Sequence, residues 1–183
     1  MQNRFVKTSK FLSLVLRHQP EKIGLSLDQA GWVSVDELLQ ACRSRGIPLT
    51  KDELDDVVAS NDKQRFSFSE DGSRIRANQG HSVEVELGYQ PTTPPEELYH
   101  GTVERFLVSI LANGLSRGKR HHVHLSANSE TAQKVGARRG KPVILKVLSG
   151  RMQRDGYLFY CSRNGVWLTD SVPPQYLEII GAE

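Results

Sequence analysis

One interruption constrains this chain more than any other feature. Residues 84–97 hold three prolines, two threonines and four glutamates with little periodic apolar pattern, so neither a helix nor a ladder strand is expected to run through them. The stretch reads as a linker between a first lobe, residues 1–83, and a second, residues 98–183. No internal repeat or low-complexity tract blurs the division. With 183 residues and 38% hydrophobic content, the chain can bury a core on both sides of it. Disorder, collagen-like repeats and disulfide scaffolds are excluded by the same composition.

The first segment is mostly helical. Thr8-Ser9 precede an apolar run from Phe11 to Leu16, and Pro20 ends what they start, which predicts a helix over about residues 8–18. Ser34 with Glu37 forms a capping-box pattern ahead of Val35, Leu38, Leu39 and Cys42, and Thr50 with Glu53 forms another ahead of Leu54, Val57 and Val58. The period then changes to two. Arg65–Phe68, the turn Glu70-Asp71-Gly72 and Arg74–Ala77 predict a β-hairpin. Three helices followed by a hairpin is the pattern of a winged helix.

The second segment alternates short strands with helices. After His100-Gly101-Thr102 a helix is expected with Val103, Phe106, Leu107, Ile110 and Leu111 on one face, closed by Asn113-Gly114. Strand-like runs follow at 122–125, 143–148, 165–169 and 176–180, with a helix near 128–137. The fold class is therefore α+β with a mixed or antiparallel sheet in the second lobe. No GxGxxG follows a strand and no GxxxxGK[ST] occurs, so neither a dinucleotide fingerprint of that kind nor a P-loop supplies a ligand.

Charge is distributed unevenly. The net charge is only +3, yet residues 117–146 hold eight basic residues against Glu130 alone, with His121, His122 and His124 among them. Such a run is either a solvated face or an anion site for phosphate-bearing ligands. Cys42 and Cys161 are far apart without metal-ligand spacing, so both are expected reduced and structural, and no metal is expected. No apolar run reaches the roughly 18 residues of a membrane span, and no secretory signal opens the sequence. A cytoplasmic, monomeric protein is the expectation.

The helix after Thr50 would be the recognition helix of a DNA-binding winged helix, but 51–58 carry one base and four acids. Phosphates would repel it, so groove readout is not expected. The bases lie elsewhere. On the first helix Lys10, Ser13 and Arg17 fall opposite the apolar stripe, with His18 at its edge in the last turn. An Arg-His pair there also complements the helix dipole, and Arg65 alone is an ordinary strand-edge charge.

Longer blocks give these positions a setting. Thr8 to His18, Gly31-Trp32, Asp62-Lys63-Gln64-Arg65-Phe66 and Ile75 to Ser82 resemble the RNA 2′-phosphotransferase family. So do Leu98 to Thr102, His122 to Ser126, Val135 to Gly140 and Asn164 to Thr169, in the same order over nearly the whole chain. The resemblance implies an N-terminal winged-helix RNA lobe and a C-terminal lobe related to ADP-ribosyltransferases that binds NAD⁺, facing each other across a cleft. It implies removal of an internal 2′-phosphate from RNA, of the kind left at tRNA splice junctions, by transfer to NAD⁺. The products are 2′-hydroxyl RNA, nicotinamide and ADP-ribose 1″,2″-cyclic phosphate.

The family's Arg-His-Arg-Arg tetrad is carried onto Arg17, His18, Arg65 and Arg138, and RNA contacts onto Lys10, Arg17, His18 and Arg65. Its chemistry suits these residue types. A phosphate attacking C1″ of the nicotinamide ribose is already an anionic nucleophile, so planar, permanently charged donors that position it matter more than a base. When the 2″-hydroxyl then attacks phosphorus and expels the RNA, charge grows on phosphoryl oxygens, and an arginine gains strength as it does. Arg17, His18 and Arg65 are accordingly expected to grip the 2′-phosphate and Arg138 to serve transesterification, with His18 placed for proton transfer.

For NAD⁺ the resemblance implies His100, Gly101 and Thr102, then His124 with Ser126, and the strand through Val166. Protein-modifying relatives carry a catalytic glutamate on that third strand, and none stands between Asn164 and Thr169 here. The family pattern has histidine where this chain has Arg139. Two other readings stand beside the first: an ADP-ribosyltransferase acting on terminal phosphates of RNA or DNA, which would stop before transesterification, and a winged-helix nucleic-acid-binding regulator without catalysis.

Overall fold

A computed structural model describes residues 2–60 and 63–180, so Asp62 of the block before Phe66 lies outside the described residues. The chain divides into two compact units, one ending at Gly88 and the other starting at Tyr89. Both mix helices with small antiparallel sheets.

In the first unit α1 covers Gln2–Val15, earlier at both ends than the expected 8–18. Thr8 and Ser9 sit inside the helix because tertiary packing outweighs their preference for a cap. Phe5 packs on the core and Arg4 pairs with Glu53 of α3 at 2.5 Å. Beyond Val15 the chain unwinds gradually, with the His18 and Gln19 N–H groups both donating to the Leu14 carbonyl, before a 3₁₀ turn at Pro20–Ile23.

β1 (Val33–Ser34) leads into α2 (Val35–Ser44), and α3 (Lys51–Ala59) follows. Thr50 and Glu53 form the full capping box at α3, whereas at α2 only the Ser34 hydroxyl bonds back to the Glu37 N–H, at 3.4 Å. β2 (Phe66–Phe68) and β3 (Arg74–Ala77) form the expected hairpin, paired Phe66 to Ala77 and Phe68 to Ile75. β1 adds to β3 as a third strand, too short to announce itself in sequence. Leu12, Leu16, Leu38, Cys42, Leu54 and Ile75 are fully buried, so one core lies under all three helices and the sheet.

The second unit begins with β4 (Leu98–Val103) and α4 (Glu104–Asn113). His100-Gly101-Thr102 is thus strand, with Gly101 paired to Ile144. The α4 face is half of what its periodicity predicts. Leu107 and Ile110 pack on the core, but Phe106 and Leu111 are exposed and Val108 is 83% exposed. β5 (Leu115–Ser116), β6 (Val123–Leu125), α5 (Ser129–Gly136), β7 (Pro142–Val147) and α6 (Ser149–Arg154) come next.

β8 (Tyr160–Cys161), β9 (Trp167–Thr169), β10 (Ser171–Val172) and β11 (Leu177–Ile180) complete the unit. β7 lies between β4 and β11, and β9 lies between β6 and β8, all antiparallel. Backbone bonds between Tyr99 and Ser126 join the two three-stranded sheets. The strand expected at 165–169 starts only at Trp167, because Ser162 holds Val166 in a turn through Gly165 (φ 75°). Among the described residues no helix is long and apolar enough to cross a membrane.

Candidate functional site

Within the first unit the fold brings the adjacent Arg17 and His18 to distant partners, the Arg65 backbone and Ser82. The unwinding end of α1 leaves the Arg17 carbonyl outside the helix ladder, and the Ser82 and Val83 N–H groups donate to it at 2.9 and 3.3 Å. That contact draws Ser82 close enough for its hydroxyl to meet His18 Nδ1 at 2.9 Å. Arg17 Nη2 donates to the Arg65 carbonyl at 3.3 Å, and its guanidinium lies 5.8 Å from the centre of the Phe66 ring. The Arg17, His18 and Arg65 side chains are half-buried. Lys10, exposed on α1, stands seven residues ahead of Arg17, about 10 Å along the helix.

Arg65 is fixed from its other side by Asn78. This buried asparagine donates from its backbone N–H to the Arg65 carbonyl at 2.9 Å and from Nδ2 to the Gln64 carbonyl at 2.6 Å, while its Oδ1 accepts from Ser67 at 2.8 Å. Gln64 has φ 40°, a left-handed conformation that a non-glycine residue adopts only when its surroundings hold it. Asn78 supplies that hold. The sequence reading had no role for it.

In the second unit His100, His124 and Arg120 meet. His100 Nδ1–H donates to the His124 carbonyl at 3.1 Å, which fixes the tautomer and leaves Nε2 as the acceptor nitrogen. Arg120 Nη1 donates to His124 Nδ1 at 3.4 Å. Thr102 is buried on the same strand as His100, and Ser126 is half-buried beside Tyr99. Val166 stands in the turn ahead of β9, its N–H donating to the Ser162 hydroxyl at 3.0 Å.

Burial holds His100 below the ordinary histidine pKa; its bond to the His124 carbonyl opposes this, and the charges of Arg139 and Arg120 add to it. Arg120 is itself lowered, first by the protein atoms packed around its guanidinium and then by Arg139, although part of its side chain reaches solvent. Three bases therefore crowd one place.

Arg138 is exposed, as Arg120 and Arg139 are, and differs from them in its bearing on His100. It lies exposed on the 3₁₀ turn Ala137–Arg139 that continues α5, and the arginines bearing on His100 are Arg120 and Arg139. Arg120 counted in the sequence only as part of the basic run. No local signal singles it out, since Arg120 lies in the bend ahead of β6 and not on an extended strand. Among the described residues no group of three or more His, Cys, Asp or Glu side chains could hold a metal ion.

The lowered pKa of His100 carries a sign. The unfolded chain takes up a proton near pH 6.5 while the folded chain resists it, so the unfolded state binds more protons below that pH and stability falls as pH falls. His122, lowered chiefly by burial, adds the same trend. Denaturant unfolding at pH 7.5 and 5.5 is expected to show the loss, and His100→Asn should reduce it. An unchanged slope in His100→Asn would contradict this assignment.

Residues 3–171 match the model of the "RNA 2′-phosphotransferase, Tpt1 / KptA family". The chain belongs to this family. It is 56% identical over 178 residues to a probable RNA 2′-phosphotransferase of Nostoc punctiforme, covering 97% of this chain and 98% of that one. A protein of the same description from Flavobacterium johnsoniae is 59% identical over 170 residues, 93% of each chain. One from Streptomyces coelicolor is 56% identical over 176 residues, 96% of each. The matched residues take in both clusters, one in each unit.

Proposed function

We propose that the chain removes an internal 2′-phosphate from RNA, of the splice-junction kind found in tRNA, by transferring it to NAD⁺ in the cytoplasm. The first unit is read as a winged-helix RNA lobe, in keeping with its three helices and three-stranded antiparallel sheet. The second is read as an ADP-ribosyltransferase-like NAD⁺ lobe, and residues 84–97 as the linker within which the unit boundary falls.

The observation that carries the reading is that the Arg17 side chain reaches the Arg65 backbone across 48 residues of sequence while His18, next to it in the chain, is bonded to Ser82 across 64. Guanidinium groups together with an imidazole would suit a dianionic phosphate beside a phosphodiester, because planar donors fix its orientation as well as its charge. Held so, the 2′-phosphate oxygen attacks C1″ of the nicotinamide ribose and nicotinamide departs with the bonding pair. The ribose 2″-hydroxyl next attacks the same phosphorus, the bond to the RNA 2′-oxygen breaks, and the proton of the 2″-hydroxyl passes to that oxygen.

NAD⁺ fits the second cluster by the same chemistry. Behind burial, the charge of Arg139 lowers Arg120 and both arginines lower His100, a repulsion that a pyrophosphate or a developing phosphoryl charge would offset. His100, with Nδ1 committed to the His124 carbonyl, presents an acceptor to a ribose hydroxyl, and Gly101, Thr102, Ser126 and Val166 stand on or beside the same strands. On this geometry the arginine serving the second step is Arg120, in place of Arg138.

The test is incubation with NAD⁺ and an oligonucleotide bearing one internal 2′-phosphate. Loss of that phosphate with appearance of nicotinamide and the cyclic phosphate of ADP-ribose is expected. Stable ADP-ribose on a terminal phosphate, with the internal 2′-phosphate untouched, would overturn the reading in favour of terminal modification.

A further inference from the structure

The first unit carries a second basic feature, on the outer face of its sheet. Strand pairing sets Ser67 opposite Arg76, and Val33 opposite Ile75, so Trp32 just ahead of β1 comes level with Arg76. Trp32, Arg76 and Ser67 thus form one row across the three strands. In the adjoining row the Asn78 N–H bonds to the Arg65 carbonyl. Cross-strand partners share a face, which makes Arg76 the diagonal neighbour of Arg65, roughly 7–8 Å away.

Trp32 is presented deliberately. Asp28 Oδ1 accepts from the Ala30 and Trp32 N–H groups at 2.9 and 2.8 Å, and Gly31 turns the chain at φ 78°. Arg76 then lies 4.5 Å over the indole and donates to the Ala30 carbonyl at 3.3 Å, while Arg74 lies 5.5 Å from the ring and 3.5 Å from Asp28. Three arginines therefore share a small sheet face, with Asp28 beside Arg74.

We infer that this face is a docking track for single-stranded RNA, receiving the nucleotides next to the one whose 2′-phosphate meets Arg65. The inference rests on the reading of Arg65 given above. Arg76 and Arg74 meet the neighbouring phosphodiesters, and the indole with its stacked guanidinium offers a flat platform to an unpaired base. Charge complementarity and continuity with Arg65 select the occupant.

The test uses the whole protein and two assays. Binding is measured with an unmodified single-stranded decamer at several salt concentrations, and turnover with a 2′-phosphorylated dinucleotide. Arg76→Gln is expected to weaken decamer binding about tenfold and to lower the salt slope by about one, leaving kcat on the dinucleotide unchanged. Arg76→Lys should keep most of the salt slope while losing affinity, and Trp32→Leu should lose affinity at unchanged slope. If Arg76→Gln fails to fold by circular dichroism, the other two variants decide. Wild-type affinity in Arg76→Lys and Trp32→Leu would overturn the inference, as would a duplex decamer bound as tightly as the single strand. Inactivity of the wild-type protein on the dinucleotide would instead count against the proposed function, since decamer binding is read without catalysis.

Discussion

Replacing Arg120 with alanine is expected to leave RNA joined to ADP-ribose and to slow its resolution by about 10²–10³, the usual cost of removing one donor aimed at developing charge. The expectation follows from where charge grows. In the first proposed step the 2′-phosphate loses negative charge as its oxygen bonds to C1″, so a donor in the second unit gains little. In the second, charge builds on phosphoryl oxygens next to the ribose, which is where a guanidinium beside His124 and His100 would act. Arg138→Ala, altering an arginine whose charge does not bear on His100, should stay within a few-fold of wild type. Arg17→Ala should slow the first step without trapping an adduct, because the nucleophile is no longer held in line. A time course of labelled 2′-phosphate RNA with NAD⁺ separates the three. Adduct accumulating in Arg138→Ala but not in Arg120→Ala would return the role to Arg138.

The contrast between these two arginines shows how far sequence reasoning reached. Helices with strong caps were legible: Thr50 and Glu53 form the capping box their spacing predicts, and the period-two hairpin pairs in register. Local signals of that kind are fixed by neighbours in the chain. The ends of α1 were less legible, because Arg4 and Phe5 gain partners on α3 and in the core that no local pattern encodes. Arg17, His18 and Arg65 could be named from motif blocks, but not the means of holding them. That depends on Asn78 and Ser82, polar residues whose bonds cross the unit. Arg120 was hidden for a related reason. A base within a basic run has no periodic signature, and only the packing of β4 on β6 shows which member of the run meets a histidine.

Gly101→Ala is expected to cost more than about 3 kcal/mol of stability, beyond the 1–3 kcal/mol usual for an overpacked core. A Cβ at this position would lie 1.8 Å from the Ala132 carbonyl oxygen, 2.7 Å from its carbon and 2.9 Å from the Gly136 nitrogen. These are backbone atoms of α5, so no rotamer change relieves the clash, and the helix must retreat from β4. Gly150→Ala is the matching control. Its Cβ would meet Glu96 Oε2 at 2.3 Å, but that carboxylate ends an exposed side chain that can swing away, losing little beyond its surface pair with Arg154. Denaturant unfolding of the two variants should therefore differ by several-fold in ΔΔG, and a Gly101→Ala protein as stable as wild type would show that α5 does not pack as described. In the proposed function Gly101 also belongs to the NAD⁺ site, and the two duties need separating. Because α5 runs on into the turn that carries Arg139, its retreat would also disturb the charge at His100 and Arg120. Lost turnover in Gly101→Ala thus reports on NAD⁺ contact only to the extent that the variant remains folded, which makes its stability the measurement to take first.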